Sequence, residues 1–439
     1  MHGVLAIARV TLKDALRKKV LFTVLFFAVV LTAVSGYLPY VTGEERIRQA
    51  SRVCLSGIGF FGMIVAIFLA AASLPDDISR KTIFTVLTKP ARRWEILAGK
   101  ILGLGYVLGI LLAIMGALSF ALIHFWAWEV GPDSSGLPRL DGNKFNYAKA
   151  VEYHGLTLGL SAPMIESKRA IASGFDRVTY HFTGLGRERF SGGKIFTQVT
   201  LFSHSWALDP VTKEGTAGLV VTNPTTGESE SMQFGAGPLQ PVILGFKKPL
   251  VDNSGAVDIT VLRRLPTGSY SAMASSVAIL SQPSGYTVNF LKVLFLRYAQ
   301  YMVLVFLAVA ASTFLTSTVS TITAIFIYFT GSLVEVLRNQ AMSLGTAADI
   351  FTMAQHTHAE AAPGELTGAT WFANMLLRDF YLGISVVFPD LDYFDLGARV
   401  SQNQYIQNSM IAYGLLYAAA YAAIAFACAW LVFSRKEAE

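Results

Sequence analysis

Two short clusters and one longer stretch carry residue types at spacings that could do chemistry. His356-Thr357-His358-Ala359-Glu360 sets two imidazoles and a carboxylate within five positions, the donors of a transition-metal site. Alternate residues on a helix point to different faces, and no further ligand is fixed by the sequence, so these three do not make a metal centre alone. Gly192-Gly193-Lys194 is a fragment of a phosphate-cradling loop. It lacks the first glycine and the closing hydroxyl of Gly-x-x-x-x-Gly-Lys-Ser/Thr, whose backbone N–H groups wrap phosphates. No His-Glu-x-x-His, no Gly-x-Ser-x-Gly and no paired carboxylates inside an apolar run occur. The expectation is a chain that is not an enzyme and binds no metal or cofactor directly. The longer stretch is Leu74 to Lys100, which holds Asp76, Asp77, Arg80, Lys81, Lys89, Arg92, Arg93, Glu95 and Lys100 between two apolar runs. Its chemistry is that of a contact surface.

The elements around that stretch are long and apolar. Of 439 residues, 53% are hydrophobic and 15% charged, which favours the membrane class. The net charge of +6 does not argue for nucleic acid, because many of the basic residues flank apolar runs, where headgroups and the positive-inside rule explain them. Cys54 and Cys428 are the only cysteines and support no disulfide framework. The first apolar run is too long for a cleavable signal peptide and has no Ala-x-Ala-like cut site.

Span length predicts six transmembrane helices: Val20–Tyr37, Leu55–Leu74, Ile101–Trp126, Phe290–Ala311, Thr318–Leu337 and Ile411–Phe433. Residues 1–19 form an interfacial helix, with Leu5, Ala8, Leu12, Ala15 and Leu16 on one arc and Arg9, Lys13 and Arg17 beside it. Basic flanks place the N-terminus, the 75–100 loop and the C-terminus in the cytoplasm of a multi-pass inner-membrane protein. Thr42–Arg52 is then a short external loop. Lys292 and Arg297 snorkel toward the outer headgroups, and no ionisable residue stands near the centre of any span, so the energy source must be another chain. Trp126 and Trp128 suit an interfacial belt, and His124 reads as an interfacial histidine.

Residues 127–289 differ in kind. Short alternating segments at Arg177–Phe182, Lys194–Phe202, Gly218–Asn223, Ser231–Phe234, Val242–Phe246 and Ala256–Leu262 are parted by turn signals such as Asn223-Pro224-Thr225-Thr226-Gly227 and Asp252-Asn253-Ser254-Gly255. That pattern predicts a β-sandwich or jelly roll inserted on the extracytoplasmic side. Tyr180, Phe182, Phe202 and Trp206 could stack on sugars, although aromatics alternating in strands more commonly fill a core. Residues 290–337 hold the fourth and fifth spans, 338–408 an external segment too polar to span, and 409–439 the last span and tail.

Within the charged stretch, Asp76 or Asp77 can cap a short amphipathic helix running to about Leu87, and Pro90 suits the first turn of a second. Asp77-x-x-x-Lys81-Thr82 followed by Leu87-Thr88-Lys89-Pro90-x-x-Arg93-x-Glu95-Ile96-Leu97-x-Gly99-Lys100 resembles the cytoplasmic loop of type-two ABC exporter permeases. Lys81 stands where that family has glycine, and Asp77 where it has glutamate. Val387-Phe388-Pro389-Asp390-Leu391-Asp392, with Phe394-Asp395-Leu396, is similar to the segment before the last span in the copper-enzyme-maturation branch of the same family. The resemblance implies a coupling loop gripped by a separate ABC ATPase, with Asp77, Thr82, Pro90, Arg93 and Glu95 at the contact and ATP and Mg held by that partner. It also implies two permease copies, as homodimer or heterodimer, working with two ATPase copies.

Thr316, Ser317, Thr318, Ser320, Thr321 and Thr323 could line a polar substrate path, though hydroxyls in such helices commonly bond their own backbone. Tyr413, Tyr417 and Tyr421 recur at four-residue steps, a helix-packing stripe or else a dimer seam or substrate wall. The rival reading of the whole chain is a membrane-anchored sensor or envelope-organising protein whose β domain binds a partner or glycan.

Overall fold

The computed structural model describes residues 2–17, 21–37, 43–79, 93–130, 141–154, 172–173, 177–185, 194–203, 215–236, 241–247, 250–252, 254–263, 270–272, 276–345 and 368–435. They fall into two compact units, Met1–Val130 with Phe290–Ser401 and Ile406–Glu439, and Gly131–Asn289 with Gln402–Tyr405.

The first unit is helical: α1 His2–Arg17, α2 Leu21–Tyr37, α3 Gly43–Ser79, α4 Arg93–Val130, α5 Tyr286–Ser312, α6 Ser317–Gly345, α7 Gly368–Val387, α8 Gly397–Ser401 and α9 Asn408–Arg435. Among the described residues five helices are long and apolar enough to cross a membrane, within α3, α4, α5, α6 and α9. The expected first span is α2, of which 17 residues are described, at the lower end of the roughly 17–25 that a spanning helix uses. α7 is helical but is not among those five, in keeping with Arg378 and Asp379 at its middle.

Three local expectations need correction. Thr42–Arg52 is not a loop: from Gly43 onward it is the opening of α3, because Arg46 lies over the Trp126 ring, 3.4 Å from its centroid, and 3.7 Å from Glu129 of α4. Asp76 and Asp77 do not cap a new helix, since α3 continues through Pro75 to Ser79. That proline leaves the Ala71 carbonyl without its intrahelical donor. The second loop helix is not separate either, because α4 starts at Arg93 and runs unbroken to Val130. Residues 80–92 lie outside the described ones.

The second unit is built from antiparallel strands: β1 Asp141–Tyr147, β2 Ala150–His154, β3 Ala172–Ser173, β4 Arg177–Phe182, β5 Lys194–Thr200, β6 Phe202–Ser203, β7 Gly215–Thr222, β8 Ser229–Ala236, β9 Pro241–Lys247, β10 Val257–Arg263, β11 Tyr270–Ala272 and β12 Val277–Gly285. They pair as a four-stranded sheet β1-β12-β5-β9, a five-stranded sheet β2-β4-β10-β7-β8 and a small sheet β3-β11-β6. The two larger sheets share one core, a sandwich with Val257, Ile259 and Val261 of β10 facing Ile195, Val199 and Ile279 of the other sheet's strands. Tyr180 and Phe182 are buried in that core, which makes them packing residues and removes them from any sugar platform. The side chain of Phe202, and Trp206 altogether, fall outside the described residues. Both turn signals hold: Asn223 Oδ1 accepts the Thr225 and Thr226 amides, Gly227 and Gly255 take left-handed φ of 72° and 76°, and Thr225 Oγ1 donates to Asp252 Oδ2 across the two turns.

Candidate functional site: two joints in the helical unit

The start of α4 gathers the ends of three other helices. Gly99 lies against α1, where an added Cβ would sit 2.8 Å from Ile7 Cβ and 2.9 Å from the Val4 carbonyl. Gly103, one turn on, would place a Cβ 2.6 Å from Thr11 Cβ and 2.8 Å from the Ala8 carbonyl. Small residues at this spacing let two backbones approach closely. Ala8 and Ala15 of the expected apolar arc are buried there, whereas Leu5 is half exposed. Lys100, buried, donates from Nζ to the Ser73 carbonyl of α3, two residues before Pro75. Arg93 Nη1 donates to the Phe433 carbonyl at 2.8 Å and the Ser434 carbonyl at 3.1 Å, capping the C-terminus of α9. A cation there also opposes the partial negative charge of the helix end. Two turns of one helix therefore hold α1, α3 and α9 together.

Of the residues expected to meet an ATPase, Arg93 and Glu95 sit on this hub, Glu95 with its carboxylate toward Gly3 of α1. Asp77 is in the last turn of α3, and Thr82 and Pro90 lie outside the described residues.

The second joint is the turn Phe388–Leu396 between α7 and α8. Leu391 and Phe394 are wholly buried in it, so this part of the 338–408 segment is packed into the helical unit. Leu391 N donates to the Gly331 carbonyl of α6, at a glycine where a Cβ would lie 2.6 Å from the Pro389 carbonyl. Gln300 of α5 donates to the Leu391 carbonyl, and Tyr417 Oη of α9 accepts the Asp390 amide at 2.7 Å. Charges complete the joint. Arg297 Nη2 pairs with Asp395 Oδ1 at 2.6 Å while its Nη1 donates to Gln300 Oε1, and Arg338 Nη1 meets Asp390 Oδ2 at 3.3 Å. Arg297 stacks on Gly59 of α3, with its Cζ 2.9 Å from where a Cβ would stand. Close by, the buried Tyr301 hydroxyl donates to the Ile58 carbonyl.

Arg297 therefore does not snorkel: the gap at Gly59 and the Asp395 carboxylate hold it inside, and a span does carry a buried ionisable residue. Lys292 likewise turns back to donate to the Ile406 carbonyl. Asp392 stands among Asp390, Asp395 and Glu335 and is partly buried; burial first, then those neighbours, push its carboxyl up to about 6. A signal for this joint was present in the sequence, as three aspartates interleaved with Phe, Leu and Tyr ahead of the last span, matched by an arginine within an earlier one.

The remaining candidates are placed more simply. Thr321 and Thr323 donate to the Ser317 and Val319 carbonyls of their own helix, Ser320 donates to Ala308, and Thr318 is exposed. Tyr417 and Tyr421 meet within the chain with ring centroids 4.9 Å apart and tilted by 54°, with Tyr417 also against Tyr393 and Phe394, while Tyr413 is exposed. His124 Nδ1 lies 2.9 Å from the Phe120 carbonyl. The described residues contain no cluster of three or more His, Cys, Asp or Glu able to hold a metal, and His356–Glu360 are not among them.

Fold and joints together define a membrane protein with several apolar helices and a separate antiparallel β unit. Residues 5–173 match the model of the ABC-2 family transporter protein, a stretch that takes in α1 to α4 and runs into the β unit. The similarity is to the membrane domain of ABC transporter permeases, a family whose members work with an ABC ATPase subunit. No curated protein matches the chain. Among solved structures, TmCBM61 in complex with beta-1,4-galactotriose aligns at 13% identity and a TM-score of 0.14, over 26% of this chain and 61% of that one.

Proposed function

We propose that the chain is the transmembrane permease subunit of an ATP-driven exporter, using hydrolysis by a separate ATPase to move a substrate or transmit mechanical work across the cytoplasmic membrane. The observation that carries this reading is the family match over residues 5–173 together with the hub at the start of α4. The connection between α3 and α4 leads straight into two turns of helix that hold three other helices, so a push on that connection has somewhere to go. In this reading α2 completes six spans, the basic flanks keep both termini and residues 80–92 in the cytoplasm, and the β unit lies outside. Asp77, Thr82, Pro90, Arg93 and Glu95 line or brace the ATPase contact, and ATP and Mg stay on that partner. Two permease copies would work with two ATPase copies.

The test is co-purification of the full-length protein from native membranes with an ATPase, followed by its ATP turnover with and without the permease. Stimulation that falls at least severalfold with Glu95→Ala supports the reading. A permease that recovers no ATPase and stimulates none would instead favour the sensor or envelope-organising role.

A further inference from the structure

The two joints are far apart, yet α9 has a bond in each. Its C-terminal carbonyls at Phe433 and Ser434 receive Arg93 from the hub, and its Tyr417 hydroxyl receives the Asp390 amide from the Phe388–Leu396 turn. Sixteen residues at 1.5 Å each put those attachments roughly 24 Å apart along one helix. The intervening sequence, Ala-Ala-Ala-Tyr-Ala-Ala-Ile-Ala-Phe-Ala-Cys-Ala-Trp-Leu-Val from Ala418 to Val432, has no glycine or proline and is rich in the best helix former. It should behave as a stiff element.

The sides of α9 are loosely held. Only 17% of its most apolar stretch is buried. Toward α5 it leaves an open apolar groove lined by Phe295, Tyr298 and Met302 on one side and Ala418, Ala419 and Ala422 on the other. Its close approach to α5 comes before Tyr417, at Gly414 against Leu296, with the Phe306–Phe426 rings 6.4 Å apart farther on. A helix gripped at two points and loosely packed beside a groove can shift along its axis by a small shear.

We propose that α9 is a connecting rod: Arg93 and Tyr417 are positioning residues that make displacement of the α4 hub and displacement of the Phe388–Leu396 turn one event. The permease reading gives the rod its purpose, but the mechanical linkage is measurable without any ATPase. Coupling of this kind is reciprocal, so a change at either attachment must be felt at the other.

The experiment is amide hydrogen exchange on the full-length protein in lipid nanodiscs, followed in residues 388–396 and 430–435. Arg93→Gln removes the cap and should speed exchange about fivefold in the last turn of α9, and by a comparable factor in the turn containing Asp390. Arg93→Lys, which keeps a cation and a donor, should restore much of the protection at both places. Tyr417→Phe removes the acceptor of the Asp390 amide and should speed exchange there and at Phe433–Arg435. A local structural role would confine each effect to its own end, and that result overturns the rod. If Arg93→Gln does not fold, the Tyr417→Phe measurement at the opposite end decides the matter alone. Breaking the rod at Tyr417, which lies outside the proposed ATPase contact, would leave ATPase co-purification unaffected, and absence of an ATPase would leave the exchange result standing, so the two failures are distinct.

Discussion

The hub at the start of α4 and the turn at Phe388–Leu396 do the same mechanical job, each holding several helices together, with different chemistry. The hub relies on missing side chains: Gly99 and Gly103 bring α1 against α4, and Arg93 and Lys100 reach backbone carbonyls of α9 and α3. The turn has close glycine contacts too, at Gly331 and Gly59, and adds charged side chains meeting one another, with Arg297–Asp395 and Arg338–Asp390 as its pairs. A joint made of close backbone contact is stiff and insensitive to pH, whereas one made of unequal charges can be loosened by a proton or a small displacement. Under the proposed permease function, this contrast would assign rigidity to the pushed end and adjustability to the responding end.

The contrast breaks most severely at Arg297. Arg297→Met leaves Asp395 unpaired and should cost about 3 kcal/mol, the low end for a buried pair because the Asp395 carboxylate is 44% exposed. The denaturant midpoint of the protein in mixed micelles reads this, and adding Asp395→Asn should recover part of the loss. At the hub, Gly103→Leu should cost about 2 kcal/mol by overpacking against the Ala8 carbonyl and Thr11, and the loss should be unchanged between pH 5 and 8 on the same assay. Tyr417→Phe should cost about 1 kcal/mol, one hydrogen bond's worth, and should leave the hub's packing glycines out of account.

The smallest effect is the sharpest discriminator. The Asp392 carboxyl titrates near 6 in the packed turn, against about 4 for an aspartate free in water. Between those values the packed turn keeps a proton that the released turn gives up, so this residue's contribution falls as pH rises from about 4 to 6 and is constant above. Protease cleavage in the turn should accelerate over that interval in the parent relative to Asp392→Asn, with the difference between the two proteins level above pH 6. Asp390, Asp395 and Glu335 are present in both proteins, which is why the comparison isolates Asp392.

Much of this architecture could be read from the sequence, because apolar length and two-residue alternation are local properties. Val257, Ile259 and Val261 declared the inner face of β10 unaided, and the Asn223 and Asp252 turns followed from residue type. The joints could not be read so directly, because their partners are remote in the chain. Glu44, Glu45 and Arg46 look like a loop until Trp126 is brought over Arg46. Arg297 looks like a headgroup residue until Asp395, nearly a hundred positions later, is folded against it. Lys100 reads as the end of a solvated loop, but the Ser73 carbonyl near the end of α3 gives it an acceptor inside the unit.

The claim on which the account turns is that the α3–α4 connection faces the cytoplasm, where an ATPase could push it, while the β unit faces out. In a Cys428→Ser background, with Cys54 buried, single cysteines at Lys89 and at Thr226 in the exposed Asn223–Gly227 turn can be probed with a membrane-impermeant maleimide. The expected result is that Thr226→Cys labels in intact cells and Lys89→Cys only after permeabilisation. Labelling of Lys89→Cys from outside would contradict it, because nothing that hydrolyses ATP in the cytoplasm could then reach the hub.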